Sequence, residues 1–108
     1  MKKEQEEHLL HISVSNQSLH QTTADMVIGL DGNQIFQREM TTGTQHTWEE
    51  TTISVVSGEH TLEISETRTK SREERVVNVD RELWMVVSFH SLPARIGVEI
   101  QDRLVGFM

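Results

Sequence analysis

Six histidines in a chain of 108 residues are the first groups here that could do chemistry. Imidazole ligates metals and moves protons near neutral pH. Cysteine is absent, so histidine and carboxylate would have to supply any metal site. Zinc sites usually declare themselves by closely spaced ligand pairs. His8 and His11 stand three apart, a spacing that suits a helix, but their segment reads as a strand, where such positions face opposite sides. His46, His60 and His90 are scattered and converge only through the fold. The expectation is therefore surface and turn histidines, with no metal and no cofactor. His60, in GEHTLEI, sits where the chain leaves a glycine turn and enters a strand, so one ring nitrogen is expected to bond a turn carbonyl.

Nucleophilic chemistry finds no local support. No serine lies in a GxSxG elbow, and no serine, histidine and acid cluster along the chain. The paired acids Glu49-Glu50 and Glu73-Glu74 would point to opposite faces of a strand. A triad assembled only in three dimensions is invisible in residue order. The chain is thus expected to be non-enzymatic, with a metal protein or small enzyme using dispersed histidines as an alternative. Asp31-Gly32-Asn33 lacks the acidic spacing of a calcium loop, which needs about six to eight oxygen ligands, and reads as a turn.

Aromatic residues offer a second kind of site. In TTGTQHTWEE, residues 41–50, the side chains of Gln45, His46 and Trp48 combine a stacking ring with hydrogen-bonding groups. That is the composition of a carbohydrate site, and these three are the candidate ligand-binding residues. The competing reading makes Trp48 a cap on the core at a strand start. Trp84, inside LWMVV, reads as core. Arg68, Lys70, Arg72 and Arg75 form the one basic cluster, interleaved with Glu66, Glu73 and Glu74, and read as a solvated hairpin tip.

The net charge of −7, from 17 acids against 10 bases, favours solubility and argues against a nucleic-acid partner. No apolar run approaches the ~18 residues of a membrane span. The start, MKKEQEEHLL, lacks the apolar region of a signal peptide, which favours the cytoplasm unless a leader has been removed.

The elements that must position these groups alternate apolar and polar residues between Gly, Asn, Ser and Asp punctuation, the period-2 pattern of half-buried strands. Strands are expected over 8–15 (Leu10, Ile12 and Val14 inward), 24–30 (Met26, Ile28, Leu30), 34–40, 46–56, 60–67 (Leu62, Ile64), 76–79, 83–89 and 95–100 (Ile96, Val98, Ile100), with a short closing segment over 104–107. Asp31-Gly32 predicts a two-residue hairpin turn with positive φ, and Ser57-Gly58 a second turn. Residues 67–75 read as a projecting charged turn, and LWMVV as a central strand covered on both sides. The fold class is all-β, an antiparallel β-sandwich of eight or nine short strands, immunoglobulin-like or transthyretin-like. Residues 1–7 read as a polar tail and 8–108 as one domain.

The DG hairpin, then ISVVSGEHTLEIS, then VVNVDRELWMVVSF, resembles the layout of small bacterial sandwich domains of the PEGA and transthyretin-like (carboxypeptidase regulatory-like) kind. Ser57 stands where those modules commonly have proline, and the Pro-Glu-Gly-Ala tetrapeptide is missing. The resemblance implies a non-catalytic accessory or binding module, frequently outside the cytoplasm, and carries over no functional residues. The leading expectation is thus an interaction or structural domain with a protein partner or self-association, and a carbohydrate-binding module is second.

The closing residues 104–108 are apolar and unguarded by charge after Arg103. They either complete the chain's own sheet or pair with a second copy. In the second case, deleting 104–108 converts a homo-oligomer into monomers, read by light scattering; a full-length chain that is monomeric at high micromolar concentration ends that expectation.

Overall fold

The structure is a computed structural model that describes residues 6–17, 23–41, 48–90 and 94–102. Among these residues there are eight strands and no helix, so no helix is long and apolar enough to cross a membrane. The strands are β1 (Glu7–Asn16), β2 (Thr23–Leu30), β3 (Asn33–Thr41), β4 (Glu49–Val56), β5 (Gly58–Glu66), β6 (Ser71–Val79), β7 (Leu83–His90) and β8 (Arg95–Gln101). They form two four-stranded sheets, sheet A in the order β4-β1-β7-β8 and sheet B in the order β3-β2-β5-β6. The molecule is an all-β sandwich, as the alternation implied.

In β1, β2 and β5 the residues that the period-2 pattern selects, Leu30 apart, are fully buried. Leu10, Ile12 and Val14 of β1, and Met85, Val87 and Phe89 of β7, meet Met26 and Ile28 of β2 and Leu62 and Ile64 of β5, all fully buried. Each such side chain contributes about 1.5–3 kcal/mol on leaving water. Val98 and Ile100 of β8, Leu30 and Ile53 are only partly buried and pack at the margin of the same layer.

Every pairing is antiparallel except β1 with β7, which run parallel from Leu10 beside Leu83 to Asn16 beside Phe89. The purely antiparallel expectation yields at this one ladder, where β1 and β7 lie side by side and run in the same direction. β1 and β2 lie in different sheets, unlike the immunoglobulin order, where the first two strands are neighbours.

Local signals are met unevenly. Asp31 (φ 53°) and Gly32 (φ 85°) both have positive φ, the type I′ geometry that a DG dipeptide favours between twisted strands. Ser57-Gly58, by contrast, is not a hairpin. β4 ends on an edge of sheet A and β5 begins in sheet B, so the chain crosses the sandwich there, with Gly58 at φ 131° absorbing the corner. The charged stretch read as a turn is a turn only over 67–70. From Ser71 it is edge strand β6, whose exposed charges conceal its alternation: Arg72 pairs with Glu63 (2.8 Å) and Arg75 with Glu73 (3.2 Å).

LWMVV is not covered on both sides. Leu83, Met85 and Val87 are buried, whereas Trp84 and Val86 face outward and are only half-buried, which corrects the placing of Trp84 in the core. The strand predicted over 46–56 begins at Glu49, with Trp48 just before it, and the closing segment 104–107 lies outside the described residues.

A Cβ at Gly32 would meet nothing within 4 Å, so a substitution there tests backbone strain alone. Gly32→Val is expected to cost about 1–2 kcal/mol, seen as a lower Tm in thermal denaturation; an unchanged Tm would contradict the turn.

Candidate functional site

The outward face of sheet A is where unlike chemical groups meet. One row crosses the sheet through Thr52 (β4), His11 (β1), Trp84 (β7) and Gln101 (β8), each in register with the next. His11 Nε2 donates to the Glu82 carboxylate, just before β7, at 2.5 Å, and its Nδ1 lies 3.0 Å from Thr52 Oγ1. With the Nε2–H donated to the carboxylate, Nδ1 is placed to accept the threonine hydroxyl. Acid, imidazole and hydroxyl thus stand in the order of a catalytic triad, assembled from positions 11, 52 and 82.

Geometry argues that this chain of bonds is a cross-strand tie. A triad acts on a substrate held in a water-excluding cleft, with donors aimed at the developing oxyanion. Here the three groups lie on a flat sheet face, with the Glu82 side chain 47% exposed and that of His11 28%. The threonine is held by its own strand, and each polar group is satisfied by its neighbour. Trp84 covers one face of the imidazole, with ring centroids 5.0 Å apart and planes 13° from parallel. That separation is close to the ~4.8 Å between strands, so both rings stand on edge from the sheet. Trp84 therefore does not lie flat as a platform for a pyranose.

Further along the same face Val86, Ser88, Gly97, Val98 and Glu99 line a shallow depression. Ser88 Oγ bonds His90 Nε2 at 3.1 Å. A Cβ at Gly97 would come within 3.0 Å of Ser88 Oγ, so the glycine keeps this hollow open. Burial, reinforced by the Arg95 charge, holds the His90 pKa below the ordinary 6.5. At the near end of β1 the face closes: Ser13 and Ser15 are buried, and the Gln17 amide donates to Ser15 Oγ at 2.9 Å.

The candidate carbohydrate residues are not resolved into a site. Gln45 and His46 lie outside the described residues, and Trp48 is half-buried one residue before β4. His8 bonds Ser57 Oγ at 2.9 Å, across the sheet from the His11 face. Among the described residues no three of the His, Asp and Glu side chains converge as a metal site would require.

Two polar clusters in sheet B serve the corners. His60 Nε2 donates to the Val56 carbonyl (2.6 Å), the turn-carbonyl bond expected of it, and Nδ1 donates to Asp31 Oδ2 (2.5 Å). Asp31 Oδ1 also accepts the Thr61 amide (2.8 Å). The DG turn, the start of β5 and the end of β4 are thereby fastened together. With acceptors at both nitrogens the ring needs both protons. The Asp31 bond first, and the Val56 carbonyl second, raise the His60 pKa above 6.5, while the His60 bond and then the Thr61 amide lower that of Asp31 below 3.8. Glu66, fully buried, accepts from the amides of Asp25 (2.8 Å), Arg68 (3.1 Å) and Thr69 (2.8 Å) and from the Thr69 hydroxyl (2.9 Å). Burial raises its pKa, but the bonds together outweigh this and the net shift is downward from 4.5.

These shifts set a pH window. The His60 contribution to stability is complete below pH 6.5 and fades as pH rises through its raised folded pKa. The Asp31 contribution is complete above pH 3.8 and fades as pH falls through its lowered folded pKa. Both are therefore present between about 3.8 and 6.5. Thermal melts of the wild type and Asp31→Asn across pH should differ most inside that window; a difference that keeps growing at alkaline pH would contradict the His60 assignment.

No family model and no curated protein matches the chain. Among solved structures, its fold is similar to a "putative cell adhesion protein" from Bacteroides ovatus, at 12% identity and a TM-score of 0.48. The match covers 94% of this chain and 46% of that one, so the chain spans about half the neighbour's length.

Proposed function

We propose that the chain is a non-catalytic β-sandwich module that binds a protein partner through the outward face of sheet A. The observation that carries this reading is the composition of that face. Trp84 and Val86 stand half-exposed on a central strand, Leu9 is 45% exposed on the same face beyond His11, and the Ser88–Gly97–Glu99 hollow adjoins. An aromatic and aliphatic centre with a hydroxyl and carboxylate rim is the anatomy of a protein-binding patch. The Glu82–His11–Thr52 tie fixes the rim and holds Trp84 upright, so the patch is rigid before it meets a partner. The resemblance to PEGA and transthyretin-like accessory modules points the same way, as does the acidic net charge, which disfavours nucleic acid.

Selection of a displayed peptide library on the full chain tests the reading. Binders should compete with one another and lose affinity for a folded Val86→Lys variant, whereas binders indifferent to that change would refute it. Three further outcomes are decisive. A fluorophosphonate adduct at Thr52 that disappears in His11→Ala would make the chain a hydrolase. Glycan binding abolished by Trp48→Ala would replace the protein partner by a carbohydrate at Gln45, His46 and Trp48. Stoichiometric metal in the purified protein, lost on replacing histidines, would make it a metal protein.

A further inference from the structure

Four strands end the two sheets, and three of them carry charge along their length. β3 has Arg38 and Glu39, β6 has Arg72, Glu73, Glu74 and Arg75, and β8 has Arg95 and Glu99. Such charges are how natural sheets prevent edge-to-edge pairing. β4 differs. After Glu49 and Glu50, residues 51–58 (TTISVVSG) have no charge and no proline, and Thr51, Thr52, Ile53, Val55 and Val56 are β-branched. Among the described residues, no strand pairs with β4 on the side away from β1.

The hydrogen-bonding groups that this edge turns outward follow from its ladder with β1. The Ser57 amide donates to the Glu6 carbonyl at 2.7 Å, continuing the register that pairs Glu7 with Val56. In an antiparallel ladder these groups alternate between the two sides of a strand. Ser57, Val55, Ile53 and Thr51 thus turn theirs toward β1, while Val56, Ser54, Thr52 and Glu50 turn theirs outward, the Val56 carbonyl being already taken by His60 Nε2.

We propose that β4 pairs antiparallel with β4 of a second copy about a two-fold axis through Ile53, joining the two A sheets into one continuous sheet. This axis sets Thr52 and Ser54, whose outward backbone groups carry no other bond among the described residues, directly against each other. Thr52 faces the partner's Ser54, this pair and its symmetry mate each exchanging two backbone bonds, and the partner's Val56 amide donates to the Glu50 carbonyl. The axis also preserves the faces. Ile53 meets its own copy and Thr51 meets Val55 on the inward side, so the partly buried Ile53 gains cover at the open margin of the core. Charge is accommodated as well, because Glu49 and Glu50 come to lie beside the partner's Ser57 and Val56, away from the partner's acids. A self-complementary patch of this kind closes as a dimer. The pairing is independent of the outward face of sheet A, since it uses backbone groups in the plane of the sheet.

Light scattering and cross-linking on the full chain test it. The wild type should scatter as twice 12.4 kDa at high micromolar concentration. Ser54→Pro, which removes an outward amide and leaves the β1 ladder whole, should scatter as 12.4 kDa with unchanged circular dichroism. In a chain without cysteine, Ile53→Cys should form a covalent dimer on mild oxidation, because facing residues of a non-hydrogen-bonded pair lie about 4.5 Å apart at Cα, within disulfide reach. Thr52→Cys and Ser54→Cys, each facing a different residue, should cross-link far less. A monomeric wild type, a folded Ser54→Pro variant that stays dimeric, or equal cross-linking at 52, 53 and 54 would each overturn the proposal. Should Ser54→Pro fail to fold, the cysteine series decides alone.

Discussion

Neither sheet could persist in water without the other. Each presents one face of Leu, Ile, Val, Met and Phe, and among the described residues that face is covered by the corresponding face of its partner. This constraint fixes the register of every strand, because a slip of one residue would carry Leu10, Ile12 and Val14 out to solvent together. It also dictates the path. A chain that must line both walls of one thin layer has to cross between them, and it does so after β1, β3, β4 and β6, reserving hairpins for β2–β3, β5–β6 and β7–β8.

The crossings and tips are where polar groups are spent. His60 and Asp31 fasten the β4–β5 corner to the DG turn, Glu66 gathers the amides of the β5–β6 turn, and Asn16 sends its amide across to the Met40 carbonyl at 3.0 Å, tying sheet A to sheet B. Residues that look reactive in a list of side chains are thus occupied in holding backbone where no ladder can. A carboxylate as buried as that of Glu66 survives only because several donors converge on it.

Much of this was legible in the sequence wherever a local rule suffices. The alternation of β1, β2 and β5 picks out their inward residues, and Asp-Gly specifies its turn because few other dipeptides accept two positive φ angles. What escaped were facts about neighbours. LWMVV lacks polar residues, so its period was hidden, and Trp84 was placed inside when it stands outside against His11. Ser57-Gly58 announces a change of direction but not whether the chain returns to its own sheet. The meeting of Glu82, His11 and Thr52 depends on β1 lying between the fourth and seventh strands, and no spacing along the chain encodes that.

The parallel pairing of β1 with β7 has a consequence for how the molecule is made. Sheet B is finished by Val79 and contains only antiparallel pairs, whereas β1, which is synthesised before the other seven strands, must wait for Leu83–His90 before its second flank is covered. Until then its only sheet neighbour is β4, and Leu10, Ile12 and Val14 lack the strand that completes their wall. Synthesis thus leaves these side chains of β1 unprotected while β2 to β6 emerge, and β7 acts as the closing piece that ends their exposure to chaperones and to neighbouring nascent chains.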